Sequence, residues 1–329
     1  MKEEKIFDVF GIGNPLIDFV VKISENEFME FNLKKGACHI MEEEELEEFF
    51  EKIKKYGIIK NMGDATANTL NTIAQLGGNV VYAGKVGKDE HGLYYEKELM
   101  KAGVKTNIKK HHKKTGRVIA LVTEDAERTF VVNLGAACFL EKEDLFEEDI
   151  KRSKILYITA YQLENERLKE TCLHAIDIAK KNDVKIAIDL ADVNVIKKIK
   201  EEIKEIIKDV DIIFANEEEA KVFTNSEGKA MFDYFPKSIE LVCIKRGSKG
   251  SWIRYRDEVK EIKPFKVKAI DSTGAGDNYA AGILYGLTHG MTVEGAAELA
   301  SYLGAKVTEK YGGRLEKEDL KGMANFLLK

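Results

Sequence analysis

Short apolar runs alternate with helix-patterned stretches along this chain, and that alternation limits the folds open to it. Runs of strand length stand at 7–12, 80–83, 155–159, 186–189, 212–215 and 241–244, and helical patterns at 43–55, 67–76, 92–102, 167–181, 195–208 and 217–223. Strands that take turns with helices predict a mostly parallel sheet covered by helices on both faces, a three-layer α/β fold. In such sheets ligands bind beyond the carboxyl ends of the strands. Hydrophobic residues make up 44% of the 329, enough for a sizeable core. No linker, repeat or low-complexity tract divides the chain, so residues 1–329 are expected to form one domain.

Two places break the rhythm. Residues 18–23 with 33–41, and 117–124 with 128–134, read as strands without helices between them, and Asp125-Ala126-Glu127 is a hairpin signal. A small sheet built from about 14–41 and 107–136 is expected to stand apart from the main one and serve as a lid. Its bare edges could pair with a second copy of the chain.

The formal net charge of -5 gives no reason to expect nucleic acid or an anionic membrane as partner. Cys38, Cys138, Cys172 and Cys243 form no CxxC pair, which fits reduced thiols in a cytoplasm. No stretch reaches membrane-spanning length, and Met1 to Phe10 does not read as a signal peptide. No HExxH and no Gly-x4-Gly-Lys-Ser/Thr occurs, and Gly11-Ile12-Gly13 lacks the third glycine of a dinucleotide fingerprint because Leu16 stands there. His111-His112 reads as an exposed loop pair.

Chemistry concentrates in Asp271-Ser272-Thr273-Gly274-Ala275-Gly276-Asp277, followed by a stretch rich in Ala and Gly. A turn of small residues running into a helix leaves the first amides without intrahelical partners, and with the helix dipole they make an anion site. Asp277 beside it can take a proton from an attacking hydroxyl while the amides face charge on a transferred phosphoryl group. A lone Gly-x-Gly-Asp could equally be a tight turn with a helix cap.

The whole string, however, resembles the signature of the ribokinase (PfkB) family of carbohydrate and nucleoside kinases, Asp-Thr-x-Gly-Ala-Gly-Asp before a small-residue helix. Gly13-Asn14-Pro15-Leu16-Ile17-Asp18, Gly84-Lys85-Val86-Gly87-Lys88-Asp89 and Asn216-Glu217-Glu218-Glu219 also match its motifs, as does Lys245-Arg246-Gly247-Ser248-Lys249-Gly250 with Lys245 replacing a Thr. The adenosine-kinase branch is closest in appearance, through 13–18, Asp125 to Arg128, 133–138 and Phe214-Ala215-Asn216.

The resemblance implies an ATP- and Mg2+-dependent kinase that phosphorylates a hydroxymethyl group of a nucleoside or ribose-like sugar, with adenosine as the first guess. A kinase of another free sugar, such as ribose or fructose, and a catalytically silent sensor are the alternatives. It implies Asp277 as base, with Gly274, Ala275 and Gly276 as the anion turn and Arg128 reaching the phosphates. Asp18, Gly63, Asp64, Asn68, Ala136 and Tyr161 fall on the acceptor side. Asn216, Glu219, Lys245, Gly247, Gly250, Thr273 and Gly312 fall on the nucleotide side. Glu219 would place Mg2+ through water, and Asp271 would border a monovalent cation such as K+. One departure stands out: where the family usually has Gly-Gly at the sugar site, this chain has Gly63-Asp64. Asp64 could bond a hydroxyl, crowd a ribose, or cap the following helix and point away.

Overall fold

The computed structural model describes residues 4–125 and 127–321. Its strands are β1 (Phe7–Ile12), β2 (Leu16–Lys22), β3 (Cys38–Ile40), β4 (Ile58–Met62), β5 (Val80–Gly87), β6 (Lys105–His111) and β7 (Thr115–Val122), then β8 (Arg128–Gly135), β9 (Ser153–Thr159), β10 (Lys185–Asp189), β11 (Ile212–Asn216), β12 (Leu241–Lys245), β13 (Ser251–Tyr255) and β14 (Glu258–Ile262). They form two sheets. The large one has the order β14-β13-β12-β11-β10-β9-β1-β5-β6. From β12 to β6 every pair is parallel, and β13 and β14 add an antiparallel edge.

The strand sequences explain this arrangement. In β9, Ile155 and Tyr157 enter one apolar core while Leu156 and Ile158 enter the other, and all four are buried. A strand covered on both faces reads as a continuous apolar run rather than an alternation, as the runs at 155–159, 186–189 and 212–215 do. Helix Ala275–Thr288 packs on helix Val293–Val307 with almost no gap. A Cβ at Gly282 would lie 2.4 Å from Ala300 Cα, and one at Gly286 would lie 2.5 Å from Ala296 Cβ. The small residues after the glycine turn are there for packing.

The small sheet has the order β3-β8-β7-β2-β4. It differs from expectation in membership. β6, which runs into the start of the expected 107–136 segment, pairs parallel with β5 in the large sheet. β4, which was not expected, pairs antiparallel with β2 and sets Asp18 opposite Asn61. The 33–41 stretch keeps only Cys38–Ile40 as strand. Helix Ala65–Gln75 follows β4 directly, so the sheet delivers the chain into the cleft beneath it. Among the described residues, no helix is long and apolar enough to cross a membrane.

Candidate active site

Gly274 sits at the N-cap of helix Ala275–Thr288 with φ 74° and no side-chain cap. That left-handed conformation suits glycine, and the space also demands it, since a Cβ there would lie 2.4 Å from Gly313 Cα. The Ala275 amide bonds the Ser272 carbonyl at 3.2 Å. The Gly276 and Asp277 amides belong to the first turn, where the helix offers them no carbonyl. Asp277 is the third helical residue, and its carboxylate accepts from Asn68 Nδ2 at 2.8 Å. Thr69 Oγ1 donates to its backbone carbonyl at 3.1 Å. Burial pushes the Asp277 carboxyl up to about 7, against the Asn68 hydrogen bond. A carboxyl poised near neutrality can accept a proton at working pH.

Beside the turn stands a cluster of buried charges from the strand ends. Lys245 closes β12, and its ammonium donates to Asp189 Oδ2, at the end of β10, over 2.8 Å. A Cβ at Gly276 would meet Lys245 Nζ at 3.1 Å, so the ammonium lies against the turn. Burial works against the Lys245 charge, yet Asp189 and Glu219 hold its pKa above the ordinary value. Lys245 therefore lies deep in the cleft, at the strand end that leads into the 247–250 turn. Gly247 and Gly250 form the tight turn after it, with φ 56° and 85°.

Asn216 caps helix Glu217–Thr224 reciprocally with Glu219. The Asn216 amide donates to Glu219 Oε2 at 2.7 Å, and the Glu219 amide donates to Asn216 Oδ1 at 2.8 Å. Burial raises the Glu219 carboxyl to about 7, partly offset by Lys245. Both oxygens already accept hydrogen bonds from Asn216, so any contact with a metal uses their remaining lone pairs.

Asp18 lies against Gly63, where a Cβ would fall 2.4 Å from Asp18 Oδ1. The absent side chain at Gly63 is what admits the carboxyl. Burial lifts Asp18 to about 7, while the Arg314 charge pulls it down. Asp64 resolves the alternatives left open by its sequence context. It caps helix Ala65–Gln75 through the Thr66 and Ala67 amides at 3.2 and 3.3 Å, and Tyr82 Oη donates to it at 2.7 Å. Its carboxylate is turned into the core, and burial raises its pKa. It does so from a backbone with φ 97° and ψ 118°, a conformation that favours glycine. An aspartate here bears the strain of a backbone that glycine would adopt freely.

Asn68 was expected to hold sugar hydroxyls. Its amide spans two protein groups, donating to Asp277 and accepting from Arg314 Nε at 3.1 Å. Ala136 is fully buried, and its amide is taken by the Lys114 carbonyl at 2.8 Å. Tyr161 is 40% exposed, with the charges of Asp192, Asp277 and Glu219 around it. Gln162, its neighbour, caps its own turn by accepting from Thr159.

Arg128, from the first position of β8, donates to Asp271 Oδ1 at 3.0 Å and to Thr273 Oγ1 at 3.1 Å. The small sheet thus reaches the glycine turn directly. Asp271 also accepts from the Thr273 and Gly312 amides at 3.0 and 3.1 Å. Although burial opposes it, these bonds hold the Asp271 carboxyl down at about 2. Arg128 answers its charge in this structure.

Two residues here had no counterpart in the motifs. Asp189 was legible only as an acid at the carboxyl end of a parallel strand. Arg314 follows Gly312-Gly313, a pair whose sequence reads as a plain helix ending.

The signature of pfkB family carbohydrate kinases matches residues 29–320. A 5-dehydro-2-deoxygluconokinase of Bacillus subtilis is 27% identical over 323 residues, which is 94% of this chain and 92% of that protein. The structure of an adenosine kinase from Sinorhizobium meliloti superposes with TM-score 0.85 at 28% identity, covering 94% of this chain and 96% of that one. A probable sugar kinase from Rhizobium etli shares the fold with TM-score 0.88 at 24% identity, over 98% and 99% of the two chains. The glycine turn, the helix it opens and the two-sheet architecture are thus those of a known kinase lineage: the chain belongs to the pfkB family of carbohydrate kinases.

Proposed function

We propose that this protein transfers a phosphoryl group from ATP to a hydroxymethyl group of a free sugar or nucleoside, with Asp277 as general base. The observation that carries this reading is the Asp277 carboxyl, raised to about 7, in the first turn of a helix whose leading amides and neighbouring Lys245 make an anion site. Asp277 takes the proton of the attacking hydroxyl, and Asn68 holds the carboxylate in place while it does so. The Gly276 and Asp277 amides and the Lys245 ammonium face the charge on the phosphoryl oxygens. Asp18, packed on Gly63, takes a hydroxyl of the acceptor. The small sheet, tied down through Arg128, keeps water from competing as acceptor.

The chain's groups fit a magnesium nucleotide. The two open amides and Lys245 would hold its phosphates, and the outer lone pairs of Glu219 would face the cation through water. When bound, that group supplies the transferable phosphoryl and a divalent charge to neutralise it.

Adenosine as acceptor is supported by the 28% identical adenosine kinase and by the accessible ring of Tyr161. A free sugar is the second reading. It is supported by the relatives named 5-dehydro-2-deoxygluconokinase and by Arg314, a charged group that a neutral base does not call for. The test is ADP formation with ATP and Mg2+ across nucleosides, neutral sugars and sugar acids, using the intact chain and Asp277→Asn. Turnover that appears with one acceptor class and vanishes in the variant supports the reading. Phosphorylation surviving in Asp277→Asn removes the base from the scheme.

A further inference from the structure

Arg314 has more donors than the protein answers. Its Nε donates to Asn68 Oδ1 at 3.1 Å. Its Nη1 meets only the thioether sulfur of Met62, at 2.9 Å, and sulfur is a weak acceptor. Its Nη2 is buried and has no hydrogen-bond partner. The whole terminal edge of the guanidinium is therefore without an oxygen acceptor, although buried polar groups are nearly always satisfied. The Asp18 carboxyl feels the Arg314 charge, but the two form no ion pair.

The side chain is also well placed. Asn68 alone separates it from the Asp277 carboxylate. Together with Asn61, Met62, Tyr94, Glu98, Gly313 and Glu316 it lines a cavity of about 260 Å3, which Asp18, Asn68 and Asp277 do not line. The backbone that carries it is fixed, since the Gly312 amide bonds Asp271 and the Asn71 side chain bonds the Leu315 carbonyl. A rigid guanidinium whose two Nη groups lie side by side matches the two oxygens of a carboxylate better than any single hydroxyl.

We propose that Arg314 is a specificity residue whose Nη1–Nη2 edge takes a carboxylate of the acceptor, so that the preferred substrate is a sugar acid. This rests on the kinase reading above. On carboxylate binding, Nη1 exchanges its sulfur contact for an oxygen and Nη2 gains its missing partner, while Nε stays on Asn68. Asp18 then donates to or accepts from a hydroxyl of the same molecule, according to its protonation.

The experiment compares gluconate and ribonate with glucitol, ribitol and adenosine as acceptors, in the wild type, Arg314→Gln and Arg314→Lys. The wild type is expected to favour each aldonate over its alditol by about tenfold or more in kcat/KM. In Arg314→Gln that ratio falls by about tenfold, toward parity, through KM, and Arg314→Lys recovers only part of it. Equal loss on acidic and neutral acceptors through kcat would show that Arg314 only positions Asn68, and would overturn the proposal. So would a wild type that prefers adenosine or an alditol. Should Arg314→Gln fail to fold, the wild-type ranking and the calorimetric affinity of gluconate against glucitol decide the matter alone. Phosphorylation of neutral acceptors only would sink this inference and leave the kinase reading standing. No phosphorylated product from any acceptor would sink both.

Discussion

Asp277 and Asp64 are both half-buried acids at helix N-termini, yet their surroundings suit them to opposite roles. Asp277 has one strong donor, Asn68, and a pKa raised to about 7. It should gain its base form as pH rises, so kcat/KM is expected to climb through about pH 7 and level off above it. Asp277→Asn should lower turnover by about two to four orders of magnitude and abolish that climb, with nucleotide affinity retained. A pH profile unchanged in the variant would assign the titration elsewhere. Asp64 instead has every oxygen committed inward, to two amides and to Tyr82. Asp64→Ala loses the cap and the tyrosine partner and still forces a side chain to φ 97°, so unfolding should become easier by about 2–4 kcal/mol. Asp64→Gly loses the same bonds but is at ease at that φ, so it should be less damaging by about 1 kcal/mol or more. Both should leave the ranking of acceptors intact. A reranked substrate panel would mean that the carboxylate reaches the cleft after all.

On the proposed mechanism, the β7–β8 hairpin matters to function while carrying little stability. Arg128 opens β8 and bridges to Asp271 from a side chain that is 44% exposed. Exposed ion pairs contribute at most about 1 kcal/mol. Arg128→Ala should therefore leave the melting temperature almost unchanged while lowering kcat/KM, because the tie between the sheet and the glycine turn is lost. A marked fall in melting temperature with unchanged kinetics would make Arg128 a structural residue. The same sheet shows where sequence reading stops. The strands buried on both faces announce themselves as apolar runs, and β1 spans the same residues that its sequence marks, 7–12. β4 does not: Ile-Ile-Lys-Asn-Met is short, half polar and an edge strand, so nothing local separates it from the end of a helix. β13 and β14 mix polar and apolar residues without a clean alternation around Arg256, which has φ 55° in a turn that no glycine marks. The glycine turn and Asp277 were legible because backbone approach dictates residue type there. Arg314 and Asp189 were not, since their positions depend on which loops the fold brings together.

Across the molecule, the cleft sets stability against activity. Asp18, Asp277 and Glu219 each have a folded pKa near 7, raised by burial from ordinary values of 3.8 or 4.5. Between the two values the folded chain binds more protons than the unfolded one. The contribution of these groups is therefore fully present below about pH 4 and is lost as pH rises through 7. Asp271 and Glu47 act in the opposite sense, with folded values of about 2. Their contribution is present above about pH 4 and disappears as pH falls toward 2. His91 and His111, held below the ordinary 6.5 by burial, add a weaker gain as pH rises toward that value. The sum places the stability maximum on the acid side of neutrality, with a decline from about pH 5.5 to 8. Over that same range the Asp277 base form, and with it the rate, should rise. Denaturant titrations at pH 5.5, 6.5, 7.5 and 8.5 test this directly: the midpoint should fall with pH, and Asp277→Asn should reduce the slope because one of the three carboxyls no longer ionises. A midpoint that stays level or rises across that range would show that the cleft carboxyls ionise at ordinary values, and the Asp277 base would then have to be tuned by the bound substrates rather than by the fold.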